Sequence, residues 1–159
     1  MLKSFLSLAL VASVCSVAPA VSAAPKSFVA PLVVPLDKAW EALPSGRSAR
    51  DWRQGDAAGL LLKTYHASEV NGDTLLESVL GDLSQNGIGT DDVKWYLNPS
   101  ATVVRWTEKG RRHLACAREL SGDNGGLTLL FLGNWTPELD KTLSSDVIRA
   151  CRETSLPKK

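Results

Sequence analysis

Between residues 102 and 132, the order of hydrophobic and polar positions predicts two consecutive β-hairpins. Residues 102–107 alternate with the period of two that is typical of a half-buried strand. Two polar stretches, 109–112 and 121–126, interrupt the pattern as turns. Residues 127–132 are almost wholly apolar, and a strand without a polar face is usually covered on both sides. We therefore place this last strand in the centre of a sheet.

Two helices are predicted from apolar residues at helical spacing. The first covers residues 74–86, because Thr74 and Glu77 form a capping box and a glycine follows the last turn. The second begins at Pro137 and carries a stripe of apolar side chains four residues apart. The stripe consists of Leu139, Leu143, Val147 and Cys151. We expect it to pack on the apolar strand of the sheet.

The chain before residue 70 is less regular. Asp37 is a suitable cap for a short helix that Pro44 would end. Residues 47–53 carry three arginines at a spacing of three, which indicates a helix with one basic face. That face could hold an anion or could simply be solvated. Residues 60–66 are either a strand or the tail of this helix, and the flanking glycines favour a strand. Residues 93–97 are also predicted to form a strand.

Two cysteines follow the amino-terminal segment, Cys116 and Cys151. Cys116 shares a strand face with Leu114 and Leu120, and Cys151 lies on the apolar stripe of the last helix. The two patterns predict a disulfide between helix and sheet. Two free buried thiols or a metal site are the alternatives. A zinc site is disfavoured because the cysteines are 35 residues apart and the chain has no clustered histidines.

These elements predict an α+β fold. An antiparallel sheet of three to five strands would be covered on one face by both helices, and one disulfide would join a helix to the sheet. Residues 24–159 are enough for a single domain with a substantial core. Residues 24–36 contain three prolines and are expected to form an extended amino-terminal arm.

The first 23 residues predict a secretory signal peptide. Lys3 supplies a positive charge, residues 5–17 are apolar, and small residues precede a cleavage site after Ala23. A membrane anchor is the alternative, but a span needs about 20 apolar residues. Cys15 would be removed with the signal peptide. The sequence thus predicts a soluble periplasmic or secreted protein without stable membrane insertion.

Charge argues against two classes of partner. The chain has 18 basic and 17 acidic residues, and loss of Lys3 with the signal peptide would leave it neutral. A neutral chain is not typical of proteins that bind nucleic acid or anionic membranes. The sequence contains no motif for a cofactor or a metal, so we predict neither.

Candidate catalytic residues are few. His66 and His113 are in predicted strands, each without a motif that would supply a catalytic partner, and no hydrolase or phosphate-binding motif is present. A histidine in this setting is more often a surface residue than a general base. A small secreted hydrolase that uses His66 or His113 is therefore an alternative, and we favour a protein that is not an enzyme.

Tryptophans and arginines on the predicted hairpins are the candidate binding residues. Trp95 and Trp106 are on neighbouring strands and could pair across the sheet. Arg105, Arg111 and Arg112 are close in sequence to Trp106, and tryptophan and arginine dominate binding hot spots. The alternative is a core tryptophan with ordinary surface arginines.

The function hypothesis follows from this surface and from the lack of a catalytic motif. We predict a small exported binding protein that acts by contact with another envelope or secreted protein. An inhibitor, an immunity protein and an envelope assembly accessory are examples of this class. A carrier of a small apolar ligand, enclosed between sheet and helices, is a further alternative.

Overall fold

One antiparallel sheet of seven strands and two α-helices make up the part of the chain that the computed structural model describes, residues 23–158. The strands are β1 (Glu41–Ala42), β2 (Ala49–Gln54), β3 (Ala58–His66), β4 (Thr90–Leu97), β5 (Ser100–Glu108), β6 (Arg111–Leu120) and β7 (Leu127–Trp135). The helices are α1 (Gly72–Gln85) and α2 (Asp140–Glu153). The predicted signal peptide lies, except for Ala23, outside the described residues.

The strand order across the sheet is β1-β2-β3-β7-β6-β5-β4, and every neighbouring pair is antiparallel. The two predicted hairpins are present as β5–β6 and β6–β7. β7 is central, between β6 and β3, as its apolar sequence predicts. The α+β class and the antiparallel pairing are thus confirmed.

The predicted count of three to five strands is wrong, because the sheet has seven. The missing strands are β1 and β2, in a region where we expected helices. Arginines three residues apart lie on one face of a helix but on opposite faces of a strand. In β2, Arg50 accordingly lies over the ring of Trp52 on one face, while Arg53 donates a hydrogen bond to the Glu41 carboxylate on the other.

The prediction that both helices pack on one face is also wrong. Val103 and Val104 are adjacent in β5 and both are fully buried, yet they belong to separate apolar clusters. Val103 lies in the cluster that contains α2, and Val104 lies in the cluster that contains α1. The helices therefore cover opposite faces, which we name the α2 face and the α1 face. The apolar run in β7 requires this arrangement, since Leu129 and Leu130 are buried on opposite faces.

The carboxyl-terminal end of α2 is attached to β6 in two ways. Cys116 and Cys151 form the predicted disulfide, with an S–S distance of 2.11 Å. Two residues further along β6, the Arg118 guanidinium donates to the backbone carbonyls of Cys151, Arg152 and Thr154 at the end of the helix. These carbonyls lack partners within the helix, so Arg118 supplies the hydrogen bonds that a helix end requires. Burial lowers the pKa of Arg118, and the nearby charge of Arg152 adds to this effect.

The chain before β1 runs across the α2 face. Phe28 N–H donates to the Thr64 carbonyl over 2.9 Å, and Val33 exchanges two backbone hydrogen bonds with Ser155. Between these points, Ala30 and Leu32 are buried in the cluster around α2. This segment therefore holds the end of β3 and the chain after α2 in place.

Candidate functional site

The strand β4 forms one edge of the sheet. β1, at the opposite edge, has only two residues, whereas β4 has eight. An edge strand presents backbone N–H and C=O groups that can pair with another chain. The register with β5 places Val93, Trp95 and Leu97 towards the α1 face, and Lys94 and Tyr96 towards the α2 face.

Two large hydrophobic side chains are exposed on β4. Trp95 is 71 % exposed and Leu97 is 93 % exposed, while Val93 is partly buried against the α1 cluster. α1 packs on β5, β6 and β7, and so leaves the end of β4 open. We name the side chains of Val93, Trp95 and Leu97 and the free backbone edge of this strand the β4 surface. Exposed apolar groups that adjoin one another mark a binding site more often than scattered ones do.

The other face of the same strand end is held by α2. The Arg152 guanidinium lies over the ring of Tyr96 at 4.7 Å, and its Nη2 donates to the Asn98 carbonyl over 2.7 Å. These contacts fix the backbone at the end of β4 without covering Trp95 or Leu97. The β4 surface is therefore exposed and also held in one geometry, which lowers the entropic cost of binding.

The two predicted binding tryptophans are not cross-strand partners. Trp95 is opposite Thr102, whereas Trp106, four residues after Thr102 in β5, is opposite Thr90. Trp106 is 8 % exposed, and its ring stacks on that of His113 with centroids 5.2 Å apart. Trp95 therefore belongs to the β4 surface and Trp106 to the α1 cluster.

The three arginines of the predicted site are bound to other groups of the same chain. Arg105 Nη2 lies 2.5 Å from Asp92 Oδ2, which also lowers the pKa of that carboxyl group. Arg112 pairs with Asp91 at 3.1 Å and with Asp140 at 3.3 Å. Arg111 donates to the side-chain oxygen of Asn134 and to the Ala57 carbonyl. The structure thus does not bring the arginines and Trp95 together in one cationic patch.

The two histidines lie in different surroundings. His66 is exposed at the end of β3, where its ring stacks on Phe28 with centroids 4.5 Å apart. His113 is half-buried beside Trp106, and burial, the largest cause, lowers its pKa below 6.5. The charge of Glu108 and a backbone hydrogen bond to that residue act in the opposite direction.

We expect part of the free energy of unfolding to be lost when the pH falls below 6.5, and the substitution His113→Gln to remove that part. The unfolded chain takes up the proton more readily than the folded protein, because the folded-state pKa of His113 is the lower one. Its contribution is therefore present above pH 6.5 and is lost as the pH falls through the folded-state pKa. Urea unfolding between pH 8 and pH 4.5 measures this slope, with His66→Gln as the matched control. An identical slope in wild type and His113→Gln would contradict the assignment.

Leu97 was not predicted as a binding residue, although it continues the alternation of Val93 and Trp95 in the sequence. Its exposure depends on where α1 ends on the sheet, which the local pattern does not show.

Within residues 23–158, no three His, Cys, Asp or Glu side chains come together as metal ligands would. Neither helix of that part of the chain is long and apolar enough to cross a membrane.

No family model and no curated protein matches this chain. Among the solved structures that resemble it is LpqN of Mycobacterium tuberculosis, described as involved in cell envelope biogenesis. The similarity has a TM-score of 0.52 and 14 % sequence identity, and covers 79 % of this chain and 83 % of LpqN. At that identity the likeness concerns the fold alone.

Proposed function

We propose that this protein is a small exported binding protein that acts by contact with another envelope protein through the β4 surface. The observation that carries the proposal is the exposure of Trp95 and Leu97 on an edge strand that is otherwise fixed. Tryptophan is enriched among the residues that dominate binding energy. An inhibitor, an immunity protein and an envelope assembly accessory all act through contacts of this kind.

The location outside the cytoplasm has two lines of support. The Cys116–Cys151 disulfide is typical of small proteins in oxidising compartments. The structural neighbour LpqN is involved in cell envelope biogenesis, which favours an envelope role for a chain of the same fold. The signal peptide predicted for residues 1–23 would deliver the protein there.

One extended segment of a partner can make two kinds of contact with the β4 surface. An extended segment of the partner could pair with the free edge of β4, so that backbone hydrogen bonds supply part of the affinity. Side chains of that segment on the α1 face would meet Trp95 and Leu97. The arginines contribute little to either kind of contact, since Arg105 and Arg112 are engaged with Asp92, Asp91 and Asp140.

We expect the substitutions Trp95→Lys and Leu97→Lys to weaken partner binding strongly. Truncation of a hot-spot tryptophan costs about 2 kcal/mol or more, which is roughly 30-fold in the dissociation constant. The chain from Ala24 onward, immobilised and incubated with an envelope extract, should retain partners that both variants fail to retain. Binding of each recovered protein is then measured by calorimetry.

Val33→Lys is the matched control, because Val33 is 53 % exposed and lies on the amino-terminal arm rather than on the β4 surface. It changes an exposed apolar residue to lysine in the same way, and should retain the same partners as wild type. Thermal midpoints of all three variants close to that of wild type would show that the fold is intact. Retention of the same partners by Trp95→Lys would refute the proposal.

A further inference from the structure

A cleft of about 750 Å³ opens at the end of the α2 face. We name it the end cleft. Three chain segments line it, the amino-terminal arm, the turn between β6 and β7 and the tail after α2, together with the end of β3. Its apolar lining consists of Phe28, Ala30, Pro31, Leu127, Leu156 and Pro157. Clefts of roughly 300–1,000 Å³ with a mostly apolar lining and a few polar groups are typical of small-molecule sites.

The floor of the end cleft is the end of the sheet. His66 of β3 and Leu127 of β7 are cross-strand partners there. α2 ends at Glu153, so residues 156–158 rather than the helix form the adjacent wall. Leu156 is 38 % exposed, which makes apolar surface available to a ligand.

The walls of the end cleft are held in place by the backbone. The backbone of Phe28 is hydrogen-bonded to Thr64, and the backbone hydrogen bonds between Val33 and Ser155 join the arm to the tail. Gly126, in the turn between β6 and β7, has a φ of +80°, and a Cβ atom there would lie 3.1 Å from the Leu120 carbonyl oxygen. Only glycine fits this turn without strain. These contacts fix the shape of the end cleft.

The end cleft is lined by apolar, aromatic and polar groups, and its charged side chains are Asp123 and Lys158. The stacked rings of Phe28 and His66, inclined at 25°, provide an aromatic surface beside Leu127 and Leu156. The exposed imidazole of His66 also offers ring nitrogens for a hydrogen bond. We propose that the end cleft binds a small amphiphile, with its apolar body against Phe28, Leu127 and Leu156 and its polar group at His66.

This site is separate from the β4 surface. His66 and Leu127 lie on the α2 face, whereas Trp95 and Leu97 point towards the α1 face. The two sites also differ in shape, since the end cleft is concave and the β4 surface is the open edge of a sheet. Loss of either binding activity by substitution should therefore leave the other unchanged.

The test is a fluorescence titration of the chain from Ala24 onward with 1-anilinonaphthalene-8-sulfonate, an apolar ring system with one charged group. We expect saturable binding at one site per chain. Leu156→Glu should weaken binding by about tenfold or more, because it places in the apolar lining a charge of the same sign as the sulfonate of the probe. Phe28→Ala, which removes the stacked ring, should weaken it as well. Circular dichroism at increasing temperature checks that both variants are folded.

Leu97→Glu is the control for probe bound elsewhere, since Leu97 is the most exposed large hydrophobic side chain of the described residues and lies outside the end cleft. It should change the probe affinity by less than about twofold. Competition with dodecanoate and with 2-naphthoate then distinguishes an acyl chain from a fused ring as the preferred apolar body. The proposal is overturned if the probe does not saturate, if neither competitor displaces it, or if Leu156→Glu binds the probe as tightly as Leu97→Glu does.

Discussion

Replacing Cys116 and Cys151 together with alanine is expected to lower the free energy of unfolding by up to about 4 kcal/mol. The disulfide joins residues 35 positions apart, and a cross-link across a loop of that length restricts the unfolded chain by about this amount. A domain of this size is stabilised by about 5–15 kcal/mol in total, so the loss would be a large fraction. Urea unfolding of the double variant and of wild type measures the difference.

The loss should remain below this upper value because residual structure in the unfolded chain reduces the effect of a cross-link. In the folded double variant, Arg118 should still hold the end of α2. Its three hydrogen bonds to the carbonyls of Cys151, Arg152 and Thr154 do not depend on the disulfide. Because the covalent link to β6 is lost, amide hydrogen exchange should still increase first in the last turns of α2. Reduction of wild type with dithiothreitol is the independent control and should reproduce the stability of the double variant. Equal stability of the oxidised and reduced wild-type protein would contradict a structural role for the bond.

Strong local patterns in the sequence were sufficient to predict the strands β5 to β7, both helices and the disulfide. Each of these elements except β7 has one apolar face whose period is visible in its own residues, and β7 is recognised by its continuous apolar run. The position of Cys116 on β6 and of Cys151 on α2 could therefore be inferred independently, and the two coincide in the structure. The turn between β5 and β6 was equally clear, and Lys109 and Gly110 there have positive φ angles.

The elements that were misassigned depend on contacts with distant parts of the chain. β1 has only two residues and exists because it pairs with β2, as Glu41 does with Arg53. Helices on opposite faces follow from β7, which is buried on both sides and needs a cover for each. The local period assigns residues to faces, but it does not show which helix covers which face.

The candidate site could be predicted only in part for the same reason. Trp95 and Trp106 lie on the same face of neighbouring strands, but they are not the cross-strand pair that the sequence suggested. Their exposure differs because α1 covers the sheet near Trp106 and leaves Trp95 open. The pairing of Arg105 with Asp92 and of Arg112 with Asp91 requires the register between strands, which no single strand reveals.

The second large effect is expected at Trp135, where the substitution Trp135→Ala should lower the free energy of unfolding by about 3–5 kcal/mol. Its ring is fully buried on the α2 face, and its Nε1 donates to Asp140 Oδ1 over 2.9 Å at the start of α2. The ring lies back along its own strand over Gly133, so that a Cβ atom at position 133 would be 2.5 Å from Trp135 Cζ3. Gly133→Ala should therefore destabilise wild type by about 1–3 kcal/mol through overpacking.

The sign of the Gly133→Ala effect should reverse once the ring is absent. In the Trp135→Ala background the added methyl group occupies vacated space, and alanine in a strand interior is favoured over glycine by about 0.5–1 kcal/mol. Urea unfolding of the two single variants and the double variant gives the coupling energy between the positions. Gly59→Ala in the adjacent strand β3 is the matched control, since its nearest neighbour, Asn134 Nδ2, is 3.6 Å from the added atom and leaves room for it. Additive effects of Gly133→Ala and Trp135→Ala would show that the ring does not lie over the glycine, because only direct contact makes the cost of one substitution depend on the other.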